Sequence, residues 1–211
     1  VIRPRIYVLA GVNGAGKSSI GGATSRSRGA DYFNPDEVAR DLRAARPALA
    51  QREANGAAWQ IGRGLLERSI RDRLDFAFET TLGGATITRL LEEAAQCGMD
   101  VFIWYVGLAT PELHIERVTA RVRLGGHPIP EEDIRRRWDH SRLNLVRLLP
   151  RVQELKVYDN SAEANPAAGK APAPRLVLHV REGRITGPDD LSRTPDWAKP
   201  IVAAALELCR S

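Results

Sequence analysis

The chain has 211 residues, with 31 Lys and Arg against 26 Asp and Glu, a formal charge of +5 and an isoelectric point near 9.6. Its hydrophobic fraction of 43% and charged fraction of 27% suit a globular chain with one sizeable core, so residues 1–211 read as a single domain. No apolar run nears the roughly 20 residues that cross a bilayer, no signal-peptide pattern opens the chain, and Cys97 and Cys209 stand far apart; these features argue against a membrane protein or a disulfide scaffold and for a reducing, cytoplasmic setting.

Ile6–Ala10 is a short apolar run that reads as a buried strand. It leads into Gly11-Val12-Asn13-Gly14-Ala15-Gly16-Lys17-Ser18, a complete Gly-x4-Gly-Lys-Ser phosphate-binding loop, and Ser19-Ile20 then opens a segment of helical composition. Strand, loop and helix in this order turn the motif into a nucleoside triphosphate site. The glycines let the backbone fold tightly so that N–H groups face phosphate oxygens. Gly11, Asn13, Gly14, Ala15, Gly16, Lys17, Ser18 and Ser19 form the expected ATP-binding set. Lys17, read as an exposed loop lysine, serves the β and γ phosphates, and the Ser18 hydroxyl takes one magnesium position.

Asp31–Asn34 reads as a second, short strand, followed by Asn34-Pro35-Asp36-Glu37. Two readings stay open there. Asp36 can accept the proton of an acceptor hydroxyl, or the stretch is simply a helix start, with Asn34 as cap, Pro35 in the first position and acids in the first turn. Ala58–Leu74 carries Ile61, Leu65, Leu66, Ile70 and Leu74 at helical spacing. Asp75–Glu79 reads as the third strand, closing on Glu79, Thr80 and Thr81. These can contact magnesium or substrate, or can form a polar strand end feeding a helix cap.

Thr86–Gln96 reads as a helix, Val101–Val106 as a buried strand, and Pro111–Leu124 as a helix started by Thr110 and Pro111. The latter bears Arg117, Arg121 and Arg123. A turn-rich link, Leu124 to Pro130, joins it to Glu131–Leu149, which bears Arg135, Arg136 and Arg137. Two arginine-bearing arms around a turn, over about 115–137, have the form of a lid that closes on phosphates. His127 has no Cys or His partner nearby, and a loop hydrogen bond is its expected role. Leu155–Tyr158 reads as a strand and Ala162–Pro174 as a surface loop. Arg175–Val180 and Arg184–Thr186 form a hairpin about Glu182-Gly183. A terminal helix begins at Thr194-Pro195, with Pro200 kinking it or marking its true start. The alternation predicts a three-layer α/β fold, a central parallel sheet with helices on both faces. The basic excess is concentrated in the two arms and mixed with acids, which suits bound phosphates better than nucleic acid.

Several stretches in order resemble the zeta-toxin family of P-loop kinases. They are the phosphate loop, Asn34-Pro35-Asp36-Glu37, Phe78-Glu79-Thr80-Thr81-Leu82, Tyr105-Val106-Gly107-Leu108, Arg117-Val118 with Arg121-Val122, Gly125-Gly126-His127-Pro128-Ile129-Pro130, and Tyr158-Asp159-Asn160-Ser161. The resemblance implies ATP- and magnesium-dependent phosphorylation of a hydroxyl on a sugar nucleotide, with UDP-N-acetylglucosamine as the family substrate. It implies that Lys17 and Ser18 hold ATP and magnesium, that Asp36 is the general base, that Glu79 and Thr81 contact the acceptor beside Thr80, and that Asp159 and Asn160 lie near the adenine. Arg121 matches best as the cation on the transferred phosphoryl group, with Arg136 and Arg137 as alternatives. A small helical antitoxin is the partner that such a family brings into view. The chain is shorter than plasmid-borne members, so toxicity and that partner do not follow from the resemblance. A kinase for a nucleoside, dinucleotide, antibiotic or polynucleotide end, and a non-catalytic ATP-dependent switch, are the competing readings.

Overall fold

A computed structural model describes residues 3–17, 32–162 and 174–210. The chain runs β1 (Arg5–Ala10), β2 (Tyr32–Phe33), α1 (Pro35–Ala45), α2 (Gln51–Asp72), β3 (Phe76–Thr80), α3 (Ala85–Gln96), β4 (Asp100–Gly107), α4 (Pro111–Arg123) and α5 (Glu131–Leu148). A 3-10 turn (Leu149–Arg151), β5 (Glu154–Asp159), β6 (Arg175–Arg181), β7 (Arg184–Gly187), a second 3-10 turn (Asp196–Ala198) and α6 (Lys199–Leu208) complete it. The helix expected after Ser19 and most of the loop expected at Ala162–Pro174 lie outside the described residues.

One seven-stranded sheet has the order β2-β3-β1-β4-β5-β6-β7. The strands from β2 to β5 are parallel, and β6 and β7 join as an antiparallel hairpin at the edge. β1 is central, with Ala10 level with Thr80 on one side and Tyr105 on the other. The phosphate loop, Thr81 and Leu108 therefore leave the sheet at one end, where ligands bind in open α/β sheets.

One sheet face carries Ile6, Val8, Phe78, Ile103, Tyr105 and Leu155, which pack with Leu66 and Ile70 of α2, Leu90 and Leu91 of α3, Leu145 of α5 and Ile201 of α6. On the opposite face Tyr7, Leu9, Ala77, Trp104 and Val106 form a second cluster, with Tyr7 stacked on Phe102 at 5.2 Å. The expected α/β fold is present.

Element boundaries moved for local reasons. α2 starts at Gln51 rather than Ala58, because Glu53 reaches back to accept the Ala50 amide at 3.0 Å and supports a first turn that apolar spacing does not mark. Pro200 sits at the first turn of α6, where a proline lacks no needed donor, so it marks the start rather than a kink.

Candidate active site

The phosphate loop is shaped by close approaches. Gly11 has φ +149°, and a Cβ there would lie 2.4 Å from the Val106 carbonyl oxygen. No other residue fits that position. The Gly11 amide donates to the Thr80 carbonyl at 3.1 Å, which ties the loop to the end of β3. Below the loop the Asn160 side-chain amide donates to the Ala15 carbonyl at 2.8 Å, and its backbone amide donates to Gly107 at 3.0 Å. Buried His114 donates through Nδ1 to the Asn13 carbonyl at 2.8 Å.

Lys17 is not the exposed lysine expected from sequence. Its Nζ donates to the Gly11 carbonyl at 2.9 Å, and burial lowers its pKa below the ordinary lysine value. The carboxylates of Glu79 and Asp36 act against that shift, and the guanidiniums of Arg121 and Arg137 reinforce it. All four groups therefore project their charge on one ammonium. Ser18 and Ser19, expected on magnesium and ATP, lie outside the described residues.

The helix-start reading of Asn34–Glu37 is the one the structure shows. Asn34 Oδ1 accepts from the amides of Asp36 at 2.9 Å and Glu37 at 3.4 Å, so Asn34 caps α1 with Pro35 in its first turn. This leaves the Asp36 carboxylate outside the cap, half-exposed and 4.0 Å from Arg121 Nη1. Glu79 accepts from Tyr32 Oη and from Asn34 Nδ2 at 3.4 Å, so β2 and β3 hold it in place. Thr80 is bound within its own turn, its hydroxyl accepting the Leu82 amide at 3.0 Å.

The three candidate arginines are placed differently. Arg137 Nη1 donates to Asn13 Oδ1 of the phosphate loop at 2.8 Å, and burial draws its pKa down. Its path is open because residue 83 is glycine: a Cβ there would stand 2.7 Å from Arg137 Cγ. Arg121 faces Asp36 and has its Nε and Nη2 atoms buried without a hydrogen-bond partner among the described residues. Arg136 pairs with Asp133 on an exposed stretch of α5 and does not line the crevice. Arg117 reaches the Ala162 carbonyl at 3.4 Å.

A crevice of about 380 Å³ opens beside the loop. Asp36, Glu79, Thr80, Thr81 and Arg137 line it, together with Trp59 and Arg63 of α2, which sequence reasoning did not single out. Their only signal was a tryptophan on a helix's polar side. A second recess, of about 940 Å³, lies beyond Asp36 between α1 and the turn after α4, with Arg40, Arg43 and Arg121 in its wall. His127 lines both recesses and makes no side-chain hydrogen bond among the described residues, so the expected loop bond is absent. The turn is closed instead by the Gly126 amide on the Arg121 carbonyl at 3.0 Å.

Asp159 and Asn160 face inward. Asp159 accepts from Ser161 Oγ and from Trp197 Nε1 at 3.3 Å, and lies 3.6 Å from Arg175. The pair thus joins the phosphate loop to the C-terminal segment, a link sequence reasoning missed because Trp197 lies far along the chain.

The close-approach glycine of the loop, the buried Lys17 ammonium and the Nε and Nη2 of Arg121, without a partner among the described residues, are features that suit a bound anion such as a phosphate. No cluster of three or more His, Cys, Asp or Glu occurs among the described residues. A magnesium ion held by one hydroxyl, phosphates and water requires no such cluster. No helix among the described residues is long and apolar enough to cross a membrane.

A family model described as Zeta toxin matches residues 2–166. An uncharacterized protein of Haemophilus influenzae is 29% identical over 149 residues, 65% of this chain and 100% of that protein. Among solved structures, a chain of AvrRxo1-ORF1:-ORF2 with ATP superposes with a TM-score of 0.63 at 15% identity, over 96% of this chain and 64% of that one. This chain therefore spans less than two thirds of its length. A chain of the PezAT chromosomal toxin-antitoxin system of Streptococcus pneumoniae superposes with a TM-score of 0.56 at 16% identity, over 82% of this chain and 75% of that one. These structural likenesses support the fold.

Proposed function

Because the chain belongs to the zeta-toxin family, we propose that it is an ATP- and magnesium-dependent kinase that phosphorylates a hydroxyl of a small acceptor, a sugar nucleotide such as UDP-N-acetylglucosamine. The observation that carries this reading is the crevice beside the phosphate loop, lined by Asp36, Glu79 and Arg137, with Arg137 bonded to Asn13 of the loop at 2.8 Å and Arg121 4.0 Å from Asp36. A switch protein needs the loop, but it has no use for a free carboxylate beside an open crevice.

When bound, ATP supplies the phosphoryl group and magnesium offsets part of its charge. Backbone N–H groups of the loop and Lys17 hold the phosphates. Asp36 takes the proton of the acceptor hydroxyl as its oxygen forms a bond to the γ-phosphorus, the bond from that phosphorus to the β–γ bridging oxygen breaks, and ADP leaves with the bonding electrons. Glu79 and Thr81 orient that hydroxyl from the end of β3. Arg137 reaches the phosphoryl group from the loop side and Arg121 from the lid side. Their planar forks suit charge spread over equatorial oxygens. Arg136 would join them only if α5 turned. A small helical antitoxin is part of the same reading, supported by the toxin-antitoxin system among the structural neighbours.

The test is an ATP-consumption screen across sugar nucleotides, nucleosides and oligonucleotides, with product mass measured. Acceptor-dependent consumption with a phosphate added to a sugar nucleotide supports the proposal. Consumption indifferent to every acceptor overturns it.

A further inference from the structure

Val12 and Asn13 fasten the phosphate loop to both arginine-bearing arms. The Val12 side chain is buried with Val118 of α4 and Ile134 of α5, and Trp138 packs against that cluster. Asn13 is 7% exposed and is held from two directions. Its carbonyl accepts from His114 Nδ1 of α4, and its side-chain Oδ1 accepts from Arg137 Nη1 of α5, each at 2.8 Å. The next residue, Gly14, has φ +81°, and a Cβ there would lie 2.7 Å from the His114 carbonyl oxygen. The turn that aims the Asn13 side chain is therefore fixed.

Arg137 has a rival partner. Its Nη2 lies 3.7 Å from Asp133, one turn earlier on α5, and Asp133 is already paired with Arg136. That separation is too long for a hydrogen bond, so the guanidinium is drawn toward the loop rather than back along its own helix. A carboxylate binds a guanidinium more strongly than a neutral amide does. The placement of Asn13, not the strength of its bond, thus decides where Arg137 points. Held there, Arg137 acts on the Lys17 ammonium, on the side of the loop that serves the outer phosphates. An amide suits the task, because a carboxylate at position 13 would set a negative charge beside those phosphates.

We propose that Asn13 is a positioning residue: its side-chain oxygen holds Arg137 against the pull of Asp133, so that the guanidinium meets the γ-phosphoryl group of ATP already oriented. The claim deepens the kinase reading, on which it rests for the use of that contact in transfer. The contact itself is tested by binding, with no acceptor present.

Calorimetric titration with magnesium compares ADP with AMP-PNP, a triphosphate analogue that resists hydrolysis, on wild type, Asn13→Ala, Arg137→Ala and the double variant. Loop amides hold the phosphates common to both nucleotides, so the ratio of the two affinities isolates what reaches the third. Wild type should bind AMP-PNP more tightly. Arg137→Ala should lower the ratio about 10-fold or more and Asn13→Ala about 5-fold or more, as loss of a charge-assisted contact does, with ADP affinity within about 2-fold of wild type in each. The double variant should match Arg137→Ala within about 2-fold, because a residue that acts through another then has nothing left to position. A ratio unmoved by Asn13→Ala, losses that add in the double variant, or an Asn13→Ala protein that loses ADP as well overturns the assignment; the last would make Asn13 part of the loop's own cradle. Coupled loss of the ratio in a protein that transfers phosphate to no acceptor sustains the positioning role and defeats the kinase reading. Transfer to an acceptor with the two losses uncoupled does the reverse.

Discussion

The two halves of the cleft are built differently. On the nucleotide side, geometry resides in the backbone: Gly11 presses on Val106, Thr80 receives the loop amide, and Asn160 and His114 hold carbonyls from below. On the crevice side it resides in side chains from distant elements, Asp36 on α1, Trp59 on α2 and Glu79 on β3, with Asp36 and Trp59 half-exposed. On the proposed reading, the backbone-built side holds the phosphates of ATP and the side-chain-built side meets the acceptor. Substitutions on the first side should therefore affect nucleotide handling, and those on the second should affect transfer.

The largest effect is expected at Lys17. Lys17→Ala removes the one ammonium on which both carboxylates and both arginines act, and transfer should fall beyond detection. Because Lys17 Nζ also holds the Gly11 carbonyl, ATP affinity should fall with it. Calorimetric ATP titration beside an activity assay checks both. A variant that keeps turnover would separate this loop from catalysis.

Asp36→Asn probes the opposite side of the comparison. The cap of α1 belongs to Asn34, so the fold should survive, and asparagine keeps the shape of the side chain. Transfer should drop on the order of 10²- to 10⁴-fold, with ATP binding nearly intact. Near-normal turnover would leave Asp36 as a first-turn acid only.

The same division explains what was legible in the sequence. The phosphate loop, the strands β1, β4 and β5 and the helices α3, α4 and α5 were readable because local chemistry dictates them: glycines at forced positions, apolar runs, proline and threonine at helix starts. The acceptor wall was readable only where a carboxylate ends a strand or follows one. Trp59 and Arg63 escaped notice because the apolar spacing of this helix misleads: Ile61, Leu65 and Leu74 are exposed, and small residues, Ala54, Ala58 and Gly62, form much of its buried face. Trp197 escaped because its partner, Asp159, lies 38 positions earlier and no periodicity links them. Arg121 ranks first in the sequence with Arg136 and Arg137 as alternatives, and the contact of Arg137 with the phosphate loop was not legible because it depends on how α5 crosses Gly83.

Lysine at the two crevice arginines tests whether they act as forks. Arg137→Lys and Arg121→Lys keep charge but lose the plane that spans two phosphoryl oxygens. Each should lower single-turnover transfer about 10- to 1000-fold, or about 1.4 to 4 kcal/mol, and should weaken ATP binding less. Arg137→Lys should also weaken ATP binding more than Arg121→Lys does, because only Arg137 is bonded to the loop through Asn13. Equal effects on ATP would contradict the division into a nucleotide side and a lid side. Unchanged rates in both would leave them structural, bonded or packed at the crevice without acting on the phosphoryl group.

The smallest effect concerns stability, and it falls on the nucleotide side. His114 lies 1% exposed beneath the loop, and burial, aided by Lys17 and Arg117, pushes its pKa down to about 4 against the bond to Asn13. The ordinary value near 6.5 applies in the unfolded chain. Between these values the unfolded state binds more protons, so stability rises with pH there. The histidine's contribution is complete above about pH 6.5 and is lost as pH falls through about 4. Between pH 7 and 5 this single group should cost about 2 kcal/mol. His114→Gln can still donate to the Asn13 carbonyl but cannot take up a proton, so its stability should change less over that range. Urea unfolding of both proteins at the two pH values measures the difference. Equal losses would mean that His114 is solvated well enough to protonate freely, and the phosphate cradle would then be looser than its hydrogen bonds imply.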